Sequence, residues 1–278
     1  MDQTLLSEKL TESVSFIKKE IELDQPLIGI ILGSGLGNFV DLLSDSNFIK
    51  TGEIPHYPIS TVKGHSGRLV HGQINGIEII ALQGRVHTYE GYEQWQVTYP
   101  SRLLYELGIR SIIITNASGC SNPDFNPGDL MIIKNHLNFL FRDPLEDWER
   151  ELANGSIPYD KEYINLASKV SDNSGIPLRQ GILAANLGPS YETPAEVKLQ
   201  RELGADAASM STLPEVTVAH YLGMRVLGLS VLTNYAAGLS KTPLNNKEVT
   251  EMAEVASKKF STLIAEIIKE IHLLEMKG

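Results

Sequence analysis

The sequence has 278 residues, 42% of them hydrophobic and 21% charged, which is enough to build a sizeable core and argues against general disorder. Its formal net charge is −10 without a compensating Lys/Arg-rich run, which argues against nucleic-acid binding. The single cysteine, Cys120, cannot form an intrachain disulfide and fits a reducing compartment. The length is compatible with one α/β domain, which we predict to span residues 1–278.

The N-terminal segment predicts an amphipathic helix. Over residues 3–21, apolar side chains recur at three- and four-residue spacings, with Lys and Glu between them. The segment lacks the uninterrupted apolar core of a signal peptide, and no apolar run in the chain is long enough to span a bilayer. We therefore expect a cytoplasmic protein without a membrane partner.

A short apolar run at residues 27–32 leads into the glycine-rich sequence GSGLG at 33–37. This pattern is typical of a buried strand that opens into a tight loop. Glycines let backbone N–H groups approach an anion closely, although an ordinary strand-to-helix turn has the same composition. The loop has neither the dinucleotide-binding spacing nor the Lys-Ser/Thr pair of a P-loop.

The rest of the chain alternates between strand and helix patterns, which indicates an α/β sheet protein. A hairpin is predicted around Asn75-Gly76, which suits the positive φ values of a two-residue turn. The predicted strands are residues 69–74, 77–83, 111–115, 130–133, 179–186 and 225–232. The predicted helices are residues 93–107, 194–203, 213–222 and 247–275. Residues 138–163 have no steady period and predict a long loop or a broken helix.

Three polar side chains follow the hairpin at alternating positions. In an extended backbone, Arg85, His87 and Tyr89 point to the same side. A guanidinium, an imidazole and a phenol together suit phosphate oxygens and a sugar hydroxyl, because Arg is a permanent cation with a fork of donors. An exposed polar strand face has the same alternation. His65, in a turn-like segment, is equally compatible with a structural role.

Other candidate ligand-binding residues also follow predicted strands. The small residues of NASG at 116–119 would let a ligand rest on the backbone. Tyr191 offers a stacking face and Glu192 a carboxylate that accepts N–H groups, although an acidic residue also favours the start of a helix. Asn234 either caps its strand or presents a donor and an acceptor to a heterocycle such as a purine.

Taken in order, seven segments resemble the trimeric, low-molecular-mass purine nucleoside phosphorylases over residues 25–255. The segments are ILGSGLG at 31, GHSGRLVHG at 64, LQGRVHTYEGY at 82, TNASG at 115, GPSYETPAE at 188, MSTLPE at 210 and TNYAAG at 233. The resemblance implies a single α/β domain with a central mixed β-sheet flanked by helices, assembled as a homotrimer. It also implies phosphorolysis of 6-oxopurine ribo- or deoxyribonucleosides, such as inosine and guanosine, to free base and (deoxy)ribose 1-phosphate in purine salvage.

The resemblance also assigns roles to individual residues. Phosphate would be bound by Ser34, His65, Arg85, His87, Ala117 and Ser211. The ribose would contact Tyr89, Met210 and Asn246, and the base would contact Tyr191, Glu192 and Asn234. The catalytic residues would be Asn234, Glu192 and His87. No metal or organic cofactor is implied, because inorganic phosphate is the co-substrate.

The sequence departs from the family pattern in three places. Ser118 and Cys120 replace smaller residues beside the expected ligand. The usual histidine for the ribose 5′-hydroxyl is missing, and Asn246 is the residue that takes its place. Residues 141–145 lack the family's Asn-Pro-Leu pattern, so the aromatic expected from a neighbouring subunit is not identified.

Three other functions are compatible with parts of this pattern. A methylthioadenosine phosphorylase shares the chemistry, but an adenine-preferring relative is expected to carry Asp at position 234, whereas Glu192 and Asn234 favour a 6-oxopurine. A nucleoside hydrolase would not need the phosphate-binding set. A non-catalytic nucleoside-binding protein would bind ligand without releasing base.

Overall fold

A computed structural model of the protein describes residues 1–23, 28–62, 64–145, 157–240 and 246–277, without the side chains of residues 246–251 and 253–254. The helices of this part are α1 (Gln3–Glu20), α2 (Gln94–Val97), α3 (Tyr99–Glu106), α4 (Lys161–Ser174), α5 (Pro194–Glu202), α6 (Leu213–Tyr221) and α7 (Asn246–Glu275). The strands are β1 (Ile28–Leu32), β2 (Ser44–Lys50), β3 (Arg68–Ile74), β4 (Ile77–Gln83), β5 (Ser111–Cys120), β6 (Leu130–Phe139), β7 (Leu178–Asn186), β8 (Ala207–Ser209) and β9 (Arg225–Tyr235).

The strands form one mixed sheet in the order β2-β3-β4-β1-β5-β8-β7-β6-β9. Strands β4, β1, β5 and β9 are parallel to one another. At one edge of the sheet, β3 is antiparallel to both of its neighbours, β2 and β4. An additional pairing between β5 and β9 closes the second half of the sheet into a ring. The predicted mixed sheet with flanking helices is therefore confirmed, and the parallel strands end along a common edge.

Each face of the sheet packs against its own set of helices, because side chains alternate along a strand. On β1, Ile31 belongs to a core cluster that contains residues of α1, α3 and α6. Its neighbours Ile30 and Leu32 belong to a second cluster, which contains residues of α4 and α7. All three side chains are fully buried. Residues at the end of β1 are therefore held firmly from both sides.

The hairpin and the first helix lie where the sequence predicts them. Strands β3 and β4 pair up to Ile74 and Ile77, and the turn residues Asn75 and Gly76 have φ values of 53° and 76°. These positive values are those of the two-residue hairpin turn that the Asn-Gly dipeptide predicts. Helix α1 begins after Asp2, whose carboxylate accepts hydrogen bonds from two backbone N–H groups of the first turn.

Several predicted bounds were wrong. The region predicted as one helix over 93–107 is two helices, because Pro100 lies in the first turn of α3 and cannot continue α2. Strand β5 continues to Cys120, because β9 pairs with it through a bulge and β8 pairs with its last two residues. Within the last helix, Val255 is 73% exposed, because the buried stripe of α7 passes through Ala256 and Phe260.

The segment predicted as irregular, residues 138–163, is only partly so. Strand β6 extends to Phe139, because β7 pairs with it in parallel as far as Asn186. At the other end, α4 begins after Asp160, whose side chain accepts a hydrogen bond from the Tyr163 N–H. Residues 146–156 lie outside the described part of the chain.

Candidate active site

A cavity of about 380 Å³ lies at the carboxyl ends of the parallel strands β1, β4, β5 and β9, with the segments after β7 and β8 completing its wall. This is where α/β sheets bind ligands. The sequence-predicted site residues in its wall are Ser34, His65, Arg85, His87, Tyr89, Ala117, Tyr191, Glu192, Met210, Ser211 and Asn234. Asn246 is the first residue of α7, and its side chain lies outside the described residues.

The glycine-rich loop brings Ser34 to the cavity by lying directly against the backbone of β5. The Gly33 N–H donates a hydrogen bond to Thr115 Oγ1 at 3.1 Å. A β-carbon on Gly33 would lie 2.7 Å from Asn116 Cα and 2.9 Å from the Thr115 carbonyl oxygen. Gly35 has a φ of 73°, in the left-handed region. Both the close approach and this turn require glycine, so the loop's composition follows from its geometry.

Replacement of Gly33 tests this close approach. We expect Gly33→Ala to lower the free energy of unfolding by about 1–3 kcal/mol, because the added methyl group meets backbone atoms that cannot rotate away. Gly52→Ala is the matched control, since its β-carbon would be 3.6 Å from the nearest atom, an ordinary contact. Denaturant unfolding followed by circular dichroism measures both variants, and equal midpoints would contradict the packing argument.

Arg85 is 3% exposed, and its guanidinium is held by several neighbours. Its Nε lies 2.9 Å from Glu215 Oε1, and both side chains are 1% exposed. The Nε–H is not aligned on that oxygen, so the contact is an ion pair without a hydrogen bond. Nη1 donates a hydrogen bond to Ser211 Oγ at 3.0 Å and a longer one to Thr212 Oγ1 at 3.5 Å. The orientation of the cation is therefore set before any ligand binds.

Arg85, His87 and Tyr89 meet at the cavity for a reason other than the predicted strand alternation. Strand β4 ends two residues before Arg85, and Gly84 turns the backbone with a φ of 114°. Tyr89 lies in a short 3-10 helix. The His87 and Tyr89 rings are stacked at 4.8 Å between centroids and 17° between planes. The three side chains meet because of the turn at Gly84 and the helical turn around Tyr89, and not because they alternate along an extended strand.

Glu90 fixes the imidazole of His87. Its Oε1 accepts a hydrogen bond from the His87 backbone N–H at 2.7 Å and lies 3.1 Å from His87 Nδ1. Its Oε2 accepts hydrogen bonds from the Thr61 N–H at 2.6 Å and from the Thr61 hydroxyl at 2.8 Å. Burial alone would raise the pKa of Glu90, but the hydrogen bonds from His87 and Thr61 lower it to about 2. The carboxylate stays ionised and orients the ring towards the cavity.

His65 presents an uncharged imidazole to the same cavity. Burial, and then electrostatic interactions with His87 and Arg85, lower the pKa of His65 to about 3. Both of its ring nitrogens are enclosed and have no hydrogen-bond partner in the described part of the chain. A neutral imidazole carries one N–H donor, which suits an anion such as phosphate.

The segment after β8 forms a strained turn at the cavity. Thr212 has φ 81° and ψ −51°, and the Leu213 N–H donates to the Ser211 carbonyl oxygen at 3.0 Å, which defines a γ-turn of the rare, strained hand. Such a conformation costs about 1–3 kcal/mol and persists only where the surroundings enforce it. Glu215 Oε2 accepts a hydrogen bond from the Thr212 N–H at 2.8 Å. Glu215 thus holds both this turn and Arg85.

Polar groups on opposite segments line the other end of the cavity. The Thr233 hydroxyl donates to Asn234 Oδ1 at 2.8 Å, and Asn234 Nδ2 donates to the Tyr235 carbonyl oxygen at 3.0 Å. A primary amide has two N–H groups, and the bond to Tyr235 uses one of them. Glu192 follows β7, and burial, then the nearby charge of Glu196, raises its pKa although its own backbone N–H opposes this. These groups can recognise a heterocycle that has both donors and acceptors.

Tyr89 and Met210 both lie directly against Gly188. A β-carbon on Gly188 would lie 2.5 Å from Met210 Sδ and 2.9 Å from Tyr89 Cδ1. Burial, and then the charge of Glu90, raises the pKa of Tyr89 to about 12, so its phenol is a neutral donor. The two side chains predicted to contact ribose therefore form one continuous wall.

Some residues of this site received no role from the sequence. Glu90 and Glu215 lie behind the residues that line the cavity, so candidate ligand chemistry did not identify them. A signal for Glu215 was present, because Thr212-x-x-Glu215 has the spacing of a capping box. Cavity residues that were also missed are Val62, Pro189, Ala208, Ser209, Thr233 and Ala236.

Other chemistries find less support among the described residues. No group of three or more His, Cys, Asp or Glu side chains in this part of the chain could hold a metal ion. Cys120 is buried and its thiol has a pKa raised to about 11, chiefly by burial, so it is not an activated nucleophile. No helix among the described ranges is long and apolar enough to cross a membrane.

Comparisons with known proteins give consistent matches. Residues 27–269 match the model of the phosphorylase superfamily. The chain is 43% identical over 270 residues to purine nucleoside phosphorylase 1 of Bacillus subtilis, covering 95% of this chain and 99% of that one. It is 39% identical over 259 residues to purine nucleoside phosphorylase of Bos taurus, covering 89% and 90%.

Solved structures match over the same range. A schistosome purine nucleoside phosphorylase in complex with hypoxanthine has a TM-score of 0.86 and 32% identity, covering 94% of this chain and 96% of the other. Isoform 2 from Schistosoma mansoni, in complex with cytosine and ribose-1-phosphate, has a TM-score of 0.84 and 34% identity, covering 94% and 95%. Fold and sequence thus agree over nearly the whole length of both chains.

Proposed function

Because the chain belongs to the purine nucleoside phosphorylase family, we propose that its cavity catalyses the reversible phosphorolysis of 6-oxopurine nucleosides such as inosine and guanosine. The products are the free base and ribose or deoxyribose 1-phosphate. The family resemblance inferred from the sequence is confirmed by these relatives. The choice among purines and the roles of individual residues belong to the proposal.

The observation that carries the proposal is the pairing of two kinds of chemistry in one cavity. A buried, pre-oriented guanidinium, Arg85, shares the wall with Ser34, Ser211 and an uncharged His65, which together suit phosphate. The same wall holds Glu192 and Asn234, which suit a purine. Ala117 supplies backbone beside the phosphate, and Tyr191 supplies a flanking ring for the base.

The mechanism follows from the placement of charge. A phosphate oxygen forms a bond to ribose C1′ while the electron pair of the glycosidic bond moves onto the purine, and the departing purine takes up the proton released from the hydrogen phosphate, directly or through solvent. The sugar becomes oxocarbenium-like, and the phosphate anion held by Arg85 and His87 stabilises it. Negative charge develops on N7 and O6 of the purine, where the Asn234 amide donates and lowers the barrier. Binding both reactants in one cavity also removes much of the entropic cost of their encounter.

The sugar and the base are held by the remaining residues. Tyr89 and Met210 form the ribose wall, and Asn246 is assigned to the 5′-hydroxyl. Glu192 accepts hydrogen bonds from N1–H and, in guanosine, from the 2-amino group. No metal or organic cofactor takes part in the proposed reaction, in which inorganic phosphate is the second substrate.

The proposal extends to the whole chain and its assembly. We assign one catalytic domain to residues 1–278, acting in the cytoplasm as a homotrimer. Phe141, beyond the end of β6, is 86% exposed, with its ring edge-on to Phe139 at 6.2 Å, which supports an apolar contact between subunits there. Light scattering coupled to size exclusion measures the assembly, and a monomeric mass would contradict it.

The central experiment measures release of hypoxanthine from inosine by the purified protein, with and without inorganic phosphate, while ribose 1-phosphate is assayed. Strict phosphate dependence with equal yields of the two products is expected. Release without phosphate would indicate a nucleoside hydrolase, and saturable binding without release would indicate a binding protein. A preference for methylthioadenosine over inosine would contradict the 6-oxopurine assignment.

Glu192→Gln tests recognition of the base. We expect the variant to lose more kcat/KM with inosine and guanosine than with adenosine, because only the 6-oxopurines donate N1–H to the carboxylate. Equal losses with all three nucleosides would remove Glu192 from base recognition.

The pH dependence of KM gives a second readout of Glu192. The pKa of Glu192 is raised, mainly by burial. As the pH is lowered, its carboxylate therefore becomes protonated at a higher pH than the carboxylate of an exposed glutamate does. The neutral acid is a weaker acceptor for the purine N1–H than the carboxylate, so the KM for inosine is expected to rise on the acidic side. In Glu192→Gln this rise should be absent, since the amide does not titrate.

A further inference from the structure

We infer that Glu215, which does not line the cavity, is the positioning residue of the phosphate site, because it holds Arg85 and the turn that carries Ser211 at the same time. This inference rests on the proposed binding of phosphate by Arg85 and Ser211. Glu215 acts through these two residues and does not itself touch the ligand.

The two carboxylate oxygens of Glu215 have separate tasks. Oε1 lies 2.9 Å from Arg85 Nε in a pair that is 1% exposed on both sides. Oε2 accepts the Thr212 N–H at 2.8 Å and so completes the capping box of α6. Ser211, the residue before Thr212, accepts a hydrogen bond from Arg85 Nη1 at 3.0 Å. One carboxylate therefore closes a ring of contacts around the guanidinium and the turn.

The backbone of Thr212 shows why this ring is needed. Its φ of 81° lies in a region that a β-branched residue rarely adopts, so the γ-turn requires support from its surroundings. Ser101 adds to that support by donating its hydroxyl to the Glu215 carbonyl oxygen at 3.1 Å. With the turn held, the Ser211 hydroxyl and the Arg85 fork keep a fixed relation to each other, which bidentate recognition of an oxyanion requires.

The chain offers a matched pair of variants to test this role. Glu215→Gln keeps an oxygen that can accept the Thr212 N–H, because Gln also serves in capping boxes, but it removes the charge that faces Arg85. Asp160→Asn makes the same change elsewhere: Asp160 caps α4 by accepting the Tyr163 N–H and pairs with Arg225 at 2.8 Å. Both variants lose a charge and retain a cap, but only one lies behind the cavity.

The readout is binding of inorganic phosphate, measured as the rise in Tm with phosphate concentration, together with steady-state kinetics. Glu215→Gln is expected to weaken phosphate binding and raise the KM for phosphate about tenfold or more, the scale of one hydrogen bond to a charged group. The KM for inosine should change much less. Asp160→Asn is expected to lower Tm without altering phosphate affinity. In an Arg85→Lys background, Glu215→Gln should have a smaller effect on phosphate, since a lysine ammonium lacks the fork that Glu215 orients.

The outcomes separate this inference from the proposed reaction. Wild-type phosphate affinity in folded Glu215→Gln, or an equal effect in the Arg85→Lys background, would overturn the positioning role even if phosphorolysis is observed. A protein that binds phosphate in a Glu215-dependent way but releases no base would retain the positioning role and contradict the reaction. A parallel rise in the KM for inosine would reduce Glu215 to a general structural role and also overturn the inference.

Discussion

Asn234→Ala is expected to lower kcat for inosine by about 10²-fold or more, while the KM for phosphate changes little. The reason is that, in the proposed mechanism, the amide donates to the departing purine, where negative charge develops in the transition state, and loss of one such donor typically has this effect. The hydrogen bonds from Thr233 and to Tyr235 orient the amide in advance, so the donor needs no rearrangement during the reaction. Initial rates of hypoxanthine release at saturating phosphate and inosine measure the change in kcat.

Two further variants show whether the donor itself is responsible. Asn234→Asp keeps the shape of the side chain but removes the N–H and adds a charge that opposes the leaving purine, so turnover of inosine should be lost as in the alanine variant. Thr233→Val leaves the amide present and removes the hydrogen bond to Asn234 Oδ1, so its loss should be smaller. Turnover near that of the wild type in Asn234→Ala would remove Asn234 from catalysis.

Much of the scaffold around the site could be predicted, because local chemistry determines it. The Asn75-Gly76 turn requires positive φ at two positions, and the apolar run of β1 is buried on both faces. Tyr191 and Asn234 could be placed at the cavity because Tyr191 follows β7 and Asn234 lies near the end of β9, where apolar residues give way to polar ones. In these cases, residues adjacent in the sequence are enough to predict the local structure.

The parts that were missed depend on contacts between distant segments. Strand β8 has three residues and is ordered by pairing with β5 and β7, so its own sequence carries no strand signal. Strand β5 was predicted to end five residues early, because its small residues at 116–119 read as a loop until the pairing with β9 is known. Glu215 lies 130 residues from Arg85 in the chain, and the contact between them forms only once α6 packs behind the cavity. Sequence patterns identify candidate ligands more readily than the residues that orient them.

Arg85→Met is expected to abolish measurable phosphate protection and to lower the free energy of unfolding by about 3–5 kcal/mol. Met keeps an unbranched apolar stem but is shorter and carries no charge, so the variant leaves the Glu215 carboxylate buried without its partner, and breaking a buried pair has a cost of that size. The proposed phosphate site loses its buried guanidinium. Denaturant unfolding at constant ionic strength measures the stability, and the Tm as a function of phosphate concentration measures binding.

The double variant Arg85→Met/Glu215→Gln distinguishes the two effects. It removes the uncompensated charge but keeps an acceptor for the Thr212 N–H, so most of the lost stability should return. Phosphate-dependent release of base should stay lost, because no cation has been restored to the cavity. Recovery of phosphorolysis together with stability would mean that Arg85 serves the fold and that another group binds phosphate, whereas recovery of stability alone assigns the guanidinium to the ligand.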